Sequence, residues 1–195
     1  PRKTLFFPKF DWPRIDNPKI DFPLTDENLA ALEEKEKFAI QQIKTALAAN
    51  ENDIAALIIE PIQGEGGDNH FREEFLSQLK TLSLEEEFLL IFDEVQTGVG
   101  ITGNMWAHQA FSENAQPDII SFGKKTQVCG IFASKRLDEV ENHVFTESSR
   151  INSTWGGSLV DMVRFTIYLG VIEREKLLDK AYINGKYLLS LLEKL

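Results

Sequence analysis

A chain of 195 residues can bury one sizeable core, so one domain is the default. Its net charge of −10 argues against nucleic acid or an anionic membrane as the main partner. No apolar run is long enough to span a bilayer and no signal-peptide pattern opens the chain. The single cysteine, Cys129, rules out an internal disulfide and fits a reducing compartment, so a soluble, cytoplasmic protein is expected. His70, His108 and His143 have no metal-ligand spacing, and no metal is expected. The chain opens at Pro1 without Met and stops at Leu195 inside a helical run, which reads as a piece of a longer protein.

Pro8, Pro13, Pro18 and Pro23 recur at five-residue intervals, which forbids a helix and predicts an extended segment over residues 1–25. Interleaved Phe6, Phe7, Phe10, Trp12 and Phe22 predict that it lies against a surface. From Thr25 or Asp26 to about Asn50 the pattern turns helical. Leu29, Leu32, Ile40, Ile43 and Leu47 form an apolar stripe, with Glu33–Lys37 as a solvated face. Ile54–Ile59 reads as a short strand ending at Glu60, followed by a glycine-rich loop over residues 63–67 and a helix over Phe71–Leu84.

Phe88–Phe92 is an unbroken apolar run, as expected of a strand buried on both faces, and it ends in Asp93-Glu94. The strand–loop–helix–strand order is that of a crossover unit, which makes neighbouring strands parallel. A short helix is expected around Met105–Phe111, strands at Asp118–Phe122 and Ile131–Ala133, a polar turn at Asn152–Gly157, and helices over 158–174 and 182–195. Chemistry in open parallel sheets sits beyond the carboxyl ends of the strands. Two such ends carry Asp93 and the Lys124-Lys125 pair. An acid aimed at a ring nitrogen and an amine that can bond an aldehyde and move a proton divide the labour as pyridoxal phosphate requires. A structural ion pair is the other reading of the same two residues.

Four motifs carry a resemblance: EPIQGEGG at Glu60–Gly67, DEVQTG at Asp93–Gly98, FGKKTQVCG at Phe122–Gly130 and NSTWGG at Asn152–Gly157. Together, and in this order, they resemble the class III aminotransferases of fold type I. Within that class, FPKFDWPRIDNP, GKKTQVCG and SRINSTWGG are most similar to the lysine 6-aminotransferases, with the 4-aminobutyrate enzymes the nearest competitors. The resemblance implies an α/β fold: part of a mostly parallel large-domain sheet with flanking helices, plus the start of a small domain. Residues 1–25 would be an extended segment, 26–157 part of the large cofactor-binding domain, and 158–195 the interdomain helix and the beginning of the small one.

The resemblance also implies roles. Asp93 would pair with the pyridine nitrogen of pyridoxal 5′-phosphate, Val95 would pack on the ring, and Gln96 would reach the ring hydroxyl. Lys124 would be the Schiff-base lysine because it directly follows Gly123, with Lys125 as the fallback. Thr154 would bind the cofactor phosphate of a second subunit, supported by Ser153, so a homodimer would share its sites. Glu65 would pair with a distant arginine and swing aside for the second substrate, and Asn152 would border the substrate. The expected reaction transfers the ε-amino group of L-lysine to 2-oxoglutarate, giving glutamate and a semialdehyde that cyclises to a piperideine carboxylate. A 4-aminobutyrate or ornithine donor is the alternative, as is an inactive truncated chain acting only through subunit association. The same-subunit phosphate loop and the substrate arginine that the family uses are absent from these residues.

Overall fold

The computed structural model describes residues 5–151 and 153–195; Asn152, expected beside the substrate, lies outside the described residues. Contacts divide the chain into two compact units, the first ending at Ile54 and the second starting at Ala55.

In the first unit, helix α1 (Asp26–Ala49) starts where the Thr25 side chain accepts the Asn28 N–H at 3.2 Å, and Asp26 and Glu27 complement the helix dipole in its first turn. Its buried residues are Leu32, Glu36, Ala39 and Ile43. These lie four, three and four residues apart, one face of a helix. Glu36 corrects the expectation of a solvated face over Glu33–Lys37. Helical spacing puts it on the Leu32–Ile43 stripe, so position overrides charge, and it keeps a partner there. Residues 8–21 of the Pro-rich segment form neither helix nor strand, and Phe7, Phe10 and Trp12 are largely exposed where packing against a surface was expected. Phe6 is 92% exposed, and Phe10 and Trp12 stack on each other at 4.8 Å. Polar contacts fasten the segment to α1 instead: Asp16 and Gln42 exchange hydrogen bonds of 2.8 and 3.0 Å, and Lys35 pairs with Asp21 at 2.6 Å.

The second unit carries a four-stranded sheet in the order β1 (Ala56–Ile59), β4 (Leu89–Asp93), β5 (Ile119–Phe122), β6 (Gly130–Ala133). The first three strands are parallel and β6 is antiparallel to β5. Between β1 and β4 the chain forms a small hairpin, β2 (Ile62–Gln63) with β3 (Asn69–His70), and then helix α2 (Glu73–Glu85). The glycine-rich loop expected over residues 63–67 is the turn of this hairpin, and the Asn69 amide donating to the Gln63 side chain at 2.9 Å helps close it.

Helix α2 buries Phe75, Leu76, Leu79 and Leu82 toward the sheet, where Leu90, Phe92, Ile120 and Phe122 are buried in turn. Each such side chain contributes about 1.5–3 kcal/mol of burial free energy. Burial alternates along β4: Leu90 and Phe92 are enclosed, whereas Leu89, Ile91 and Asp93 are only half-buried. The expectation of a strand buried on both faces is therefore corrected, because α2 covers one face only. The helix expected around Met105–Phe111 is a single 3₁₀ turn, Ala107–Ala110. The Trp106 ring beside it packs on Phe122 and Phe132 at centroid distances of 5.5 and 5.4 Å. Helices α3 (Leu159–Arg174) and α4 (Leu177–Leu192) follow, α4 beginning five residues earlier than its sequence pattern indicates.

Candidate active site

Strand register brings Asp93 and the ends of its two neighbouring strands to one edge of the sheet. Ile59 pairs with Phe92, so Glu60 and Asp93 leave adjacent strands side by side, and Asp93 pairs with Ser121 across β4 and β5. Lys124 follows two residues beyond the end of β5. All of these lie at the carboxyl ends of parallel strands, where backbone pairing stops and side chains can converge on a ligand.

Asp93 is half-buried, and its Oδ1 accepts two hydrogen bonds of 3.0 Å, from the Val95 N–H and from the Ser121 hydroxyl. Gln96 collects both lysines: the Lys124 ammonium donates to its side-chain oxygen and the Lys125 ammonium to its main-chain carbonyl. Among the described residues no ion pair joins Asp93 to Lys124, so the structural-pair reading of these two residues is not realised. Lys124 is exposed; Lys125 is half-buried. Burial pushes the Lys125 amine below its ordinary value, the neighbouring Lys124 charge adds to this, and Glu94 opposes it. The lysine loop is tied by Thr126, whose buried hydroxyl reaches the Gly123 carbonyl at 2.6 Å, with the Thr126 and Gln127 N–H groups donating to the same carbonyl at 3.0 Å.

The β2–β3 turn closes over the same edge. A Cβ on Gly64 would lie 2.9 Å from Gln96 Cγ, so a side chain here would push the Gln96 side chain aside. Glu65, on that turn, is exposed. Glu60, at the end of the neighbouring strand, interacts with the same charged groups and with the Gly64 backbone. Burial pushes its carboxyl above the ordinary value and the Asp93 charge raises it further, while the Gly64 backbone amide and Lys124 favour the carboxylate and Glu65 disfavours it. Val95 and Gln96 are half-buried beside Asp93. Ser153 and Thr154 lie elsewhere, exposed in a turn closed by the Gly156 N–H on the Ser153 carbonyl at 3.1 Å, and no hydrogen bond joins them to Asp93, Gln96 or Lys124.

Sequence reasoning missed Ser121, whose part depends on strand register, and the burial of Glu94. Glu94 is 1% exposed and accepts the Ala107 N–H at 2.5 Å, the His108 N–H at 2.9 Å and His108 Nδ1 at 2.7 Å. It builds the 3₁₀ turn Ala107–Ala110. Among the described residues no cluster of His, Cys, Asp and Glu could hold a metal, and no helix is long and apolar enough to cross a membrane.

Known proteins match this arrangement along the whole chain. The family described as Aminotransferase class-III matches residues 7–195. A protein of Mycobacterium tuberculosis named L-lysine-epsilon aminotransferase is 52% identical over 195 residues, covering 100% of this chain and 42% of its own length. A 4-aminobutyrate aminotransferase of Dictyostelium discoideum is 35% identical over 184 residues, covering 94% of this chain and 36% of its own length. Among solved structures, a lysine aminotransferase from M. tuberculosis in the internal aldimine form has a TM-score of 0.90 at 52% identity, over 98% of this chain and 43% of its own. The chain thus spans less than half the length of the proteins it matches. Members of this class depend on pyridoxal phosphate. The donor set at the sheet edge fits that cofactor: a carboxylate with one oxygen already committed, an amide between two amines, and a glycine turn against the amide.

Proposed function

We propose that this chain, which belongs to the aminotransferase class-III family, is part of an enzyme that moves the ε-amino group of L-lysine to 2-oxoglutarate. The products would be glutamate and a semialdehyde that cyclises to a piperideine carboxylate. The observation that carries the reading is the convergence of Asp93, Gln96 and Lys124 on one sheet edge, in a chain much nearer to lysine than to 4-aminobutyrate enzymes.

Pyridoxal phosphate, when bound, supplies an aldehyde that captures amines and a cationic ring that accepts electrons from the neighbouring carbon. The residues of this chain do the rest. Asp93 holds the ring nitrogen protonated through its carboxylate. Val95 and Gln96 would help hold the group, with the Gln96 side-chain oxygen accepting from Lys124. Lys124 would hold the group through its amine, and the same amine could take a proton from the amine-bearing carbon of substrate and return it to a neighbouring atom. Lys125 steadies the Gln96 main chain. Glu65, on a turn with Gly66 and Gly67 beside it, shields a cationic partner outside this chain during the lysine half and withdraws when a substrate carboxylate needs that cation. Thr154, supported by Ser153, serves the cofactor phosphate of a partner subunit in a homodimer, with Asn152 bordering the substrate.

The test uses the full-length protein loaded with pyridoxal phosphate. Borohydride reduction and peptide mapping should place the pyridoxyl group on Lys124, and L-lysine should be turned over with a higher kcat/KM than 4-aminobutyrate or ornithine. Label on Lys125 would move the attachment point by one residue. Faster turnover of 4-aminobutyrate would refute the choice of donor.

A further inference from the structure

Asp93 makes both of its side-chain hydrogen bonds through one oxygen. Oδ1 accepts the Val95 N–H from its own turn and the Ser121 hydroxyl from the neighbouring strand, each at 3.0 Å. A carboxylate oxygen has two lone-pair directions, so Oδ1 is filled and any further donor must come to Oδ2. The two bonds differ in what they fix. The Val95 bond closes a local turn and moves with the loop. The Ser121 bond crosses to β5 and ties the plane of the carboxylate to the sheet.

Ser121 is well placed for this. Ile120 and Phe122 bury themselves on the α2 face, so the alternation of β5 turns Ser121 to the same face as Asp93, its register partner. Its main-chain carbonyl accepts the Glu94 N–H at 2.9 Å, so one residue grips both members of the Asp93-Glu94 pair. Ser121 is the one polar residue in the run Ile119-Ile120-Ser121-Phe122.

We infer that Ser121 is a positioning residue: its hydroxyl orients the Asp93 carboxylate so that Oδ2 is the oxygen presented to the cofactor ring nitrogen. The inference rests on the proposed role of Asp93. Without the hydroxyl, the carboxylate can turn about its Cβ–Cγ bond and offer either oxygen, and part of the binding free energy goes to ordering it again.

The experiment compares Ser121→Thr with Ser121→Val in the full-length holoenzyme. The two side chains have nearly the same shape, suit a strand equally, and differ in the hydroxyl. Two readouts are independent of turnover: the dissociation constant for pyridoxal phosphate, and the nitrogen-15 resonance of ring-labelled cofactor followed against pH. Ser121→Thr should bind within about twofold of the unsubstituted enzyme, whereas Ser121→Val should bind roughly tenfold more weakly, the loss of one hydrogen bond to a charged acceptor. In the Val variant the ring nitrogen should also lose its proton at lower pH. Equal behaviour of Thr and Val on both readouts would overturn the inference while leaving Asp93 in its role. An unprotonated ring nitrogen in the unsubstituted enzyme would overturn the role of Asp93, and with it that of Ser121.

Discussion

Replacing Asp118 by Asn should unfold much of this protein's stability without touching its chemistry. Asp118 precedes β5, and its side chain is 1% exposed. Oδ1 accepts the Lys80 ammonium at 2.5 Å; Oδ2 accepts the Leu90 N–H and the Arg136 guanidinium, both at 2.8 Å. One carboxylate therefore ties α2, β4 and the turn after β6 to the strand that delivers Ser121 and Lys124. The side chains of Lys80 and Arg136 are only 17% and 15% exposed, so neither cation can recover full hydration when its acid is neutralised. An asparagine keeps one acceptor oxygen but turns an NH₂ group toward a donor. Breaking a buried pair in this way costs about 3–5 kcal/mol, a large fraction of the 5–15 kcal/mol that typically separates folded from unfolded states. The assay is urea unfolding of the full-length protein, at fixed protein and cofactor concentration because both shift apparent stability. Adding Arg136→Gln to Asp118→Asn should return part of the loss, with a coupling of about 0.5–3 kcal/mol. Cofactor affinity per folded molecule should stay within about twofold, because Asp118 lies at the opposite end of β5 from the site. A loss below about 1 kcal/mol, or strict additivity of the two substitutions, would refute the idea that the two cations depend on this acid.

Two further outcomes follow from the site. Glu60 has its pKa raised from an ordinary 4.5, so its contribution to stability is fully present below that value and lost as pH rises through the folded-state value. Glu60→Gln should flatten the pH dependence of unfolding in that window and make the protein slightly more stable above it; solvent screening keeps the gain small, and an unchanged slope would count against the burial argument. Gly64→Ala would put a Cβ 2.9 Å from Gln96 Cγ, which must swing away. Stability should fall by about 1 kcal/mol or less because that side chain is flexible, while the yield of borohydride-trapped cofactor should drop as Lys124 loses its acceptor.

What the sequence made legible, and what it hid, divides along one physical line. Runs and termini were readable. Phe88–Phe92 ending in Asp93 marked a strand and its polar end, and the apolar run before Lys124 marked a second. The continuous run could not say which face of β4 is enclosed, because alternation is invisible when every residue is apolar. Only the placement of α2 decides it. Nor could a linear reading see groups joined across strands. Ser121 meets Asp93 from 28 residues away, and Asp118 meets Lys80 from 38. Register and helix docking set those distances, and a local pattern records neither. The doubled lysine shows the same limit at the shortest range. Adjacent residues in a turn leave the backbone in different directions, so Lys124 reaches the side chain of Gln96 while Lys125 reaches its carbonyl. Composition and spacing treat the two as equal. In the fold they differ: the Lys124 amine is exposed at the sheet edge, whereas Lys125 is half-buried against the Gln96 main chain.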